Sequence, residues 1–287
     1  MNDLFNSNLA PRLTRLFAPD GHCLDLALDH GLFNVPAFLV GIEDMSVAVR
    51  VAIDARPDAI QLTPGQARRL QHTPDPHRPA LVLRVDVSDM YAPDPPASAF
   101  SELIADPLGT ALRLDAACVV INLFYASDQP RLHQDCLRNL STLKAKCERY
   151  EVPLMVEALV MRHGVGRPYD ASGEPAQLSA LVRSAVELGA DIIKTDPCES
   201  PEAFAEVVRA AGGLPVLPRG GGRVPDAELL SRSVALMRAG AAGLVYGRNI
   251  TGHRRPAAMT RALMSIVHEG ASAEAAQQIL SEGEAAR

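Results

Sequence analysis

Eight short runs rich in Val, Ile and Leu punctuate this chain, and their spacing limits what it can become. They are Cys23–Leu28, Ala59–Leu62, Ala80–Val85, Cys118–Leu123, Pro153–Val160, Asp191–Thr195, Pro215–Leu217 and Gly243–Tyr246. They lack strict apolar–polar alternation, so each reads as a parallel strand buried on both faces. Amphipathic stretches between them are expected helices: Ile42–Ala55, Gln129–Tyr150, Ala176–Leu188, Pro201–Ala210, Asp226–Arg238 and Pro256–His268. Ser200 before Pro201 and Pro225 before Asp226 are helix-start signals. Gly189, Gly212 and Gly240 fall just past helix ends, where a left-handed cap is usual.

Over the second half, strand follows strand at close to the ~30 residues of one βαβ unit. Eight such units close into an α/β fold, a single (β/α)8 TIM barrel. A doubly wound open sheet is the alternative. It would carry a glycine fingerprint after its first strand, whereas this strand ends in Asp29-His30-Gly31. The 287 residues suit one barrel domain of about 250 residues. Residues 1–20 then form an N-terminal extension, and 270–287 a tail that is a surface helix or frayed. The proline-rich segment Asp86–Ala99 and the segment Arg162–Glu174 read as long loops at the C-terminal mouth, where barrel active sites form.

A net charge of -6 gives no general attraction for nucleic acid or an anionic membrane. No apolar run reaches the ~20 residues of a membrane helix. The start, MNDLFNSNLAPRL, lacks the basic-then-apolar pattern of a secretory signal. Five cysteines without paired spacing read as free thiols in a reducing, cytoplasmic setting. His133, His163 and His253 show no HxH or HxxxH spacing, so no metal is expected.

The chain holds 25 arginines and three lysines: Lys144, Lys146 and Lys194. The first two fall on the long helix and read as solvated. Lys194 ends the sixth strand, in ADIIKTD. There its ammonium would point to the mouth between apolar walls, and desolvation would lower its pKa. A free amine attacks a ketone to give an iminium, an electron sink for C–C cleavage. Arginine, used almost everywhere else in this chain, stays protonated and cannot do this. The structural alternative is a lysine paired with a carboxylate such as Asp29.

Two carboxylates interrupt apolar runs: Asp29 after the first strand and Glu157 in the fifth. Burial is costly for such groups unless they are paired or functional. Either could shuttle protons beside the lysine, or pair structurally with Arg84 of the third strand. His30 reads as a hydrogen-bonded neighbour. Asn122 and Tyr125, ending the fourth strand, are positioned either to orient a substrate hydroxyl or to anchor loops.

The seventh strand runs into Arg219-Gly220-Gly221-Gly222-Arg223, and the eighth into Tyr246-Gly247-Arg248-Asn249. Barrel enzymes often hold phosphate at these two loops, where glycines let backbone N–H groups approach an anion. Arg248 adds a charged fork.

Together LALDHG, GADIIKTD, PRGGGR and GAAGLVYGRNI resemble, in order, the motifs of the DeoC/LacD/DhnA superfamily of class I aldolases, over about residues 20–268. That superfamily is built on the (β/α)8 barrel. The resemblance implies a Schiff-base lysine at Lys194, the first-strand acid at Asp29, and phosphate loops at Gly220, Gly221, Gly247 and Arg248. Glu157, in MVEALV, matches the glutamate of the tagatose and sulfosugar branch. Two positions depart. Archaeal-type fructose-bisphosphate aldolases carry a tyrosine proton donor where Leu159 stands here, and Arg219 replaces the usual Ser or Ala before the glycines. The function implied is a cofactor-free lyase acting on a phosphorylated ketose, commonly assembled as a homo-oligomer. Its rivals are an acyl-transferring thiolase of the phosphorylated autoinducer-2 type and a non-catalytic sugar-phosphate-binding protein.

Overall fold

The computed structural model describes residues 7–92, 98–164 and 169–282. Eight parallel strands form the barrel: β1 Cys23–Ala27, β2 Ala59–Leu62, β3 Ala80–Arg84, β4 Cys118–Tyr125, β5 Leu154–His163, β6 Ile192–Thr195, β7 Val216–Pro218 and β8 Gly243–Tyr246. Each pairs with its sequence neighbour from β1 to β7, and β8 pairs with β1. A thin seam between β7 and β8 closes the ring. It holds Ala242 N–H to the Val216 carbonyl at 2.9 Å and Gly220 N–H to the Val245 carbonyl at 3.0 Å. Closure sets the open-sheet alternative aside.

The helices are α1 Ala10–Leu16, α2 Met45–Ala55, α3 Pro64–Gln71, α4 Pro107–Arg113, α5 Pro130–Tyr150, α6 Pro175–Glu187, α7 Pro201–Ala210, α8 Asp226–Arg238, α9 Arg248–Thr251, α10 Pro256–Glu269 and α11 Ala273–Glu282. Six begin on proline, whose missing N–H and fixed φ cost nothing at the first helical position. Ser200 caps α7 by accepting from Ala203 N at 3.2 Å. The sequence reading passed over α1, α3, α4 and α9. All are eight residues or shorter, too short for a 3.6-residue period to stand out.

Two hydrophobic clusters hold the molecule. The larger lies between strands and helices and includes Leu24, Leu26, Ile60, Leu62 and Leu81. The smaller fills the barrel with Cys23, Ala27, Ala59, Val82, Val120 and Met155, and takes in Leu13, Leu16 and Phe17 from α1 and its end. Residues 10–17 are therefore no mere extension: they plug the N-terminal end of the barrel. Arg12 fastens the plug by donating to the Ala116 carbonyl at 2.7 Å. Burying a leucine contributes about 1.5–3 kcal/mol, and Leu13 and Leu16 are both 0% exposed.

At the same end, His268 of α10 bridges Asp20 (2.8 Å) and Asp58 (2.9 Å), and Asp58 also accepts from Leu24 N at 2.7 Å. The hydrogen bond to Asp58 leads in raising the His268 pKa to about 9. At the mouth, the two expected loops begin as hairpins. Asp86–Ser88 pairs with Ser101–Leu103, and the end of β5 pairs with Tyr169–Ala171. Residues 93–97 and 165–168 of those loops, 1–6 of the N-terminal segment and 283–287 of the tail lie outside the described residues. Among those described, no helix is long and apolar enough to cross a membrane, and all five cysteines are free.

Candidate active site

Strand register builds the floor of the site. Asn122 on β4, Glu157 on β5 and Lys194 on β6 are successive Cα partners across the parallel ladder. Side chains at one level of a barrel point to the same side. Lys194 is 4% exposed. Its Nζ lies 3.0 Å from Glu157 Oε2 and 3.2 Å from Gln61 Oε1. The expected apolar walls are thus corrected: the amine sits in a polar nest, and its carboxylate partner is Glu157, not Asp29.

Arg84 organises that nest. Its Nε donates to Asp29 Oδ2 at 2.8 Å, Nη1 lies 3.2 Å from Asp86 Oδ1, and Nη2 donates to Glu157 Oε2. Gln61 Nε2 also donates to Asp29 Oδ2, at 2.6 Å. Burial opposes both carboxylate charges, yet the cations win. Arg84 and then Lys194 hold Asp29 below the ordinary aspartate value. Lys194, Arg84 and Arg219 bring Glu157 down to about 2. Both acids are thus paired with Arg84 in one network, and Glu157 also meets the lysine.

The same geometry engages Arg84, the expected pairing cation, and Asn122, expected to orient a hydroxyl or anchor a loop. Arg84 is fully engaged with carboxylates. Asn122 donates through both its backbone N (2.8 Å) and its Nδ2 (2.9 Å) to Asp86 Oδ2. Both residues position the acids. Tyr125 turns away: it is 39% exposed and packs edge-on against His133. Lys144, read as solvated, is instead tied to Asp191 at 3.1 Å with its side chain 18% exposed.

Sequence reading missed Asp25. It is 0% exposed in the middle of β1, and neither carboxyl oxygen has a hydrogen-bond partner. Burial pushes its pKa to about 7. A signal was present, because every second residue of Cys23–Ala27 faces the barrel interior. His30 hydrogen-bonds the Ala27 backbone, while its Nε2 is buried without a partner. Burial lowers its pKa to about 4, so the imidazole is neutral at pH 7.

Above this floor opens a cleft of roughly 540 Å³. Asp29, His30, Glu157 and Lys194 form one side, and Gly220, Gly221, Gly247 and Arg248 the other. The lysine and both glycine turns thus share one end of the barrel. Gly221 has φ +64°, a backbone conformation open to glycine. A Cβ on Gly247 would stand 2.7 Å from the Ala27 carbonyl oxygen, so the turn can sit this close to β1 only without a side chain. Arg248 Nη2 donates to the Gly221 carbonyl at 3.0 Å, and its guanidinium lies 4.4 Å above the Phe38 ring. Asn249, also missed, ties the turns together by donating to the Gly220 (3.2 Å) and Gly222 (3.1 Å) carbonyls. Arg219 is held bidentate by Asp196 at 2.6 and 3.2 Å, which offsets the extra positive charge seen in the sequence.

A second chamber of roughly 880 Å³ adjoins the first, sharing Phe38, Tyr91, Arg219 and Arg248. It adds Arg162, Asp170, Asp196 and Arg232. Arg232 donates through Nη2 to the Gly220 carbonyl at 2.9 Å, and its buried Nε has no partner. Among the described residues, no group of three or more His, Cys, Asp or Glu side chains is placed to hold a metal ion.

A buried amine beside an acid, opposite two glycine turns, is equipped for imine chemistry on a phosphorylated carbonyl compound. Comparison with known proteins points the same way. A family model described as DeoC/LacD family aldolase matches residues 23–253. The chain is 32% identical to a 2-amino-3,7-dideoxy-D-threo-hept-6-ulosonate synthase of Halobacterium salinarum, covering 92% of this chain and 93% of the relative. It is 31% identical to a 2-amino-4,5-dihydroxy-6-oxo-7-(phosphonooxy)heptanoate synthase of Streptomyces griseus, covering 93% and 92%. Among solved structures, a Schiff-base-forming fructose-1,6-bisphosphate aldolase superposes with a TM-score of 0.76 at 26% identity, over 91% of this chain and all of the other.

Proposed function

The chain belongs to the DeoC/LacD aldolase family, and from that premise we propose that Lys194 is its Schiff-base residue, acting on a small ketose phosphate. The class is a lyase that makes or breaks a C–C bond through a lysine imine. The observation that carries the residue assignment is the position of Lys194 Nζ, 3.0 Å from Glu157, on the floor of a cleft walled by the two glycine turns.

The phosphate sits between the turns at Gly220, Gly221 and Gly247, with Arg248 as the charged fork. That brings the ketone over Lys194. Glu157, held by Arg84, takes and returns the protons of carbinolamine formation and dehydration. Asp29 holds the Arg84–Gln61 side of the nest. Arg219 and Asp196 form the border with the outer chamber, which receives the aldehyde acceptor.

The relatives' names suggest what that aldehyde is. In a 2-amino-4,5-dihydroxy-6-oxo-7-(phosphonooxy)heptanoate, an aldol disconnection between C4 and C5 leaves dihydroxyacetone phosphate and a four-carbon amino-acid aldehyde. Arg162 and the unpartnered Nε of Arg232 suit such a carboxylate, and Asp170 suits its ammonium. The family model, the two relatives and the solved structure named above are aldolases and synthases, which does not favour the acyl-transfer or the non-catalytic reading.

The whole chain as one barrel domain, a cytoplasmic location and a homo-oligomer complete the proposal. Exposed Leu39, Val40 and Val47 around the start of α2 offer apolar surface for a second copy.

Borohydride reduction in the presence of dihydroxyacetone phosphate is the test. A covalent adduct is expected on Lys194, located by peptide mass, and none on Lys194→Met. An adduct on another residue, or none with this donor or with fructose 1,6-bisphosphate, overturns the assignment.

A further inference from the structure

Tyr91 stands on the partition between the two chambers. It follows the Asp86–Ser88 strand and lines both the cleft above Lys194 and the outer chamber. Three rings fix its own: Phe33 at 4.9 Å, Phe38 at 5.8 Å and Phe124 at 5.9 Å between centroids, all edge-to-face. Such pairs contribute about 0.5–1.5 kcal/mol each beyond burial, so the phenol is held in one orientation.

Its hydroxyl is the anomaly. The oxygen is buried, yet it has no hydrogen-bond partner. A buried tyrosine hydroxyl usually finds one, and leaving it unpaired costs about 1–3 kcal/mol. An aromatic cage that holds an unsatisfied donor in a substrate channel makes sense if the missing acceptor arrives with the substrate. The charges nearest the hydroxyl belong to the chemistry: Arg219 favours its ionised form, while Glu157 and Asp196 oppose it. Burial is the largest influence and raises its pKa, so the proton is present at pH 7.

C–C bond formation needs such a donor. When the enamine on Lys194 attacks an aldehyde carbon, the carbonyl π pair moves onto oxygen, and that oxygen must gain a proton. Glu157 is already committed to Lys194 and Arg84. Leu159, further along β5, is an apolar residue sealed in the outer hydrophobic cluster. Resting on the reading of Lys194 above, we propose that Tyr91 is a catalytic residue: the proton donor to the acceptor's carbonyl oxygen in condensation, and the base that removes the same hydroxyl proton in cleavage. In condensation the new C–C bond forms, the Tyr91 O–H bond breaks, and the proton ends on the product hydroxyl. The phenolate left behind lies beside the Arg219 guanidinium until solvent reprotonates it. Water then releases the product from the lysine.

Tyr91→Phe keeps the ring cage and removes only the hydroxyl. With dihydroxyacetone phosphate alone in D2O, wild type and variant are expected to exchange the donor's carbon-bound proton at similar rates and to give equal borohydride adducts, because neither step involves the acceptor. With dihydroxyacetone phosphate plus glyceraldehyde 3-phosphate, and separately plus aspartate 4-semialdehyde, condensation in the variant should fall about 10²-fold or more. A variant that condenses as fast as wild type overturns the proposal. So does one that loses exchange and condensation together, because the role would then lie in forming the enamine. Loss of the borohydride adduct in the wild type would count against Lys194 instead, and so keeps the two claims apart.

Discussion

Glu157 and Lys194 are register partners on adjacent strands, and their side chains meet at 3.0 Å across the barrel interior. The acid and the amine are thus set by two backbone ladders rather than by a loop. Rigid elements hold such a pair to a fraction of an ångström, which is what proton transfer to a forming imine requires.

Glu157→Gln preserves shape and removes the charge. The expected result is a fall in kcat of about 10²-fold or more, with a smaller change in KM. Arg84 still holds the amide oxygen in place. Steady-state kinetics of wild type and variant check this, and an unchanged kcat would move the proton-transfer role to another group.

Removing Arg84 should hurt the fold before it hurts the chemistry. Arg84→Met leaves Asp29, Asp86 and Glu157 buried without the one cation that all three share. Breaking a buried ion network from one side costs about 3–5 kcal/mol, which for a domain of this size lowers Tm by the order of 10 °C. Thermal unfolding by circular dichroism measures it. A loss of activity with unchanged Tm would show that Arg84 acts on substrate directly.

Asp25 should be a liability for stability. Its folded pKa of about 7 lies above the ordinary 3.8. Between those values the folded state keeps a proton that the unfolded state has released. Stability therefore falls as pH rises through that window and is level above it. Asp25→Asn abolishes this term. The variant should gain about 1–3 kcal/mol at pH 8 and progressively less toward pH 4, as read by urea denaturation. A constant difference at all pH values would mean that Asp25 does not titrate in this range.

His268, at the other end of the barrel, gives the same sign of pH dependence but acts as a stabilising clasp. Its folded pKa of about 9 exceeds the ordinary 6.5. The clasp on Asp20 and Asp58 is at full strength below pH 6.5 and is lost as pH rises through 9. His268→Gln should lower Tm clearly at pH 6 and hardly at all at pH 10. A Tm difference that grows with pH would refute the assignment of charge.

The strands were legible because each is a run of apolar residues bounded by turn formers, and the eight runs match the eight barrel strands to within a few residues. Lys194 stood out because lysine is scarce here and this one ends a strand. What the sequence hid has a common cause, namely depth without periodicity. Helix α1 is too brief to display an amphipathic face, though Leu13 and Leu16 seal the barrel. Tyr91 lies in a proline-rich stretch whose composition says loop and says nothing of the aromatic cage around it. The apolar walls expected around Lys194 failed for a different reason. Gln61, Arg84 and Glu157 each come from a separate strand, and only the closed ring brings them to one amine.

The thin seam between β7 and β8 has a thermodynamic consequence. Few ladder bonds join these strands, yet the two glycine turns hang from them, stitched by Asn249 and Arg248. A ligand clasped by both turns would act as a staple across the weakest joint of the cylinder. Occupancy should then slow amide exchange along Val216–Pro218 and Gly243–Tyr246 more than anywhere else, so that the enzyme tightens most where its wall is least knit.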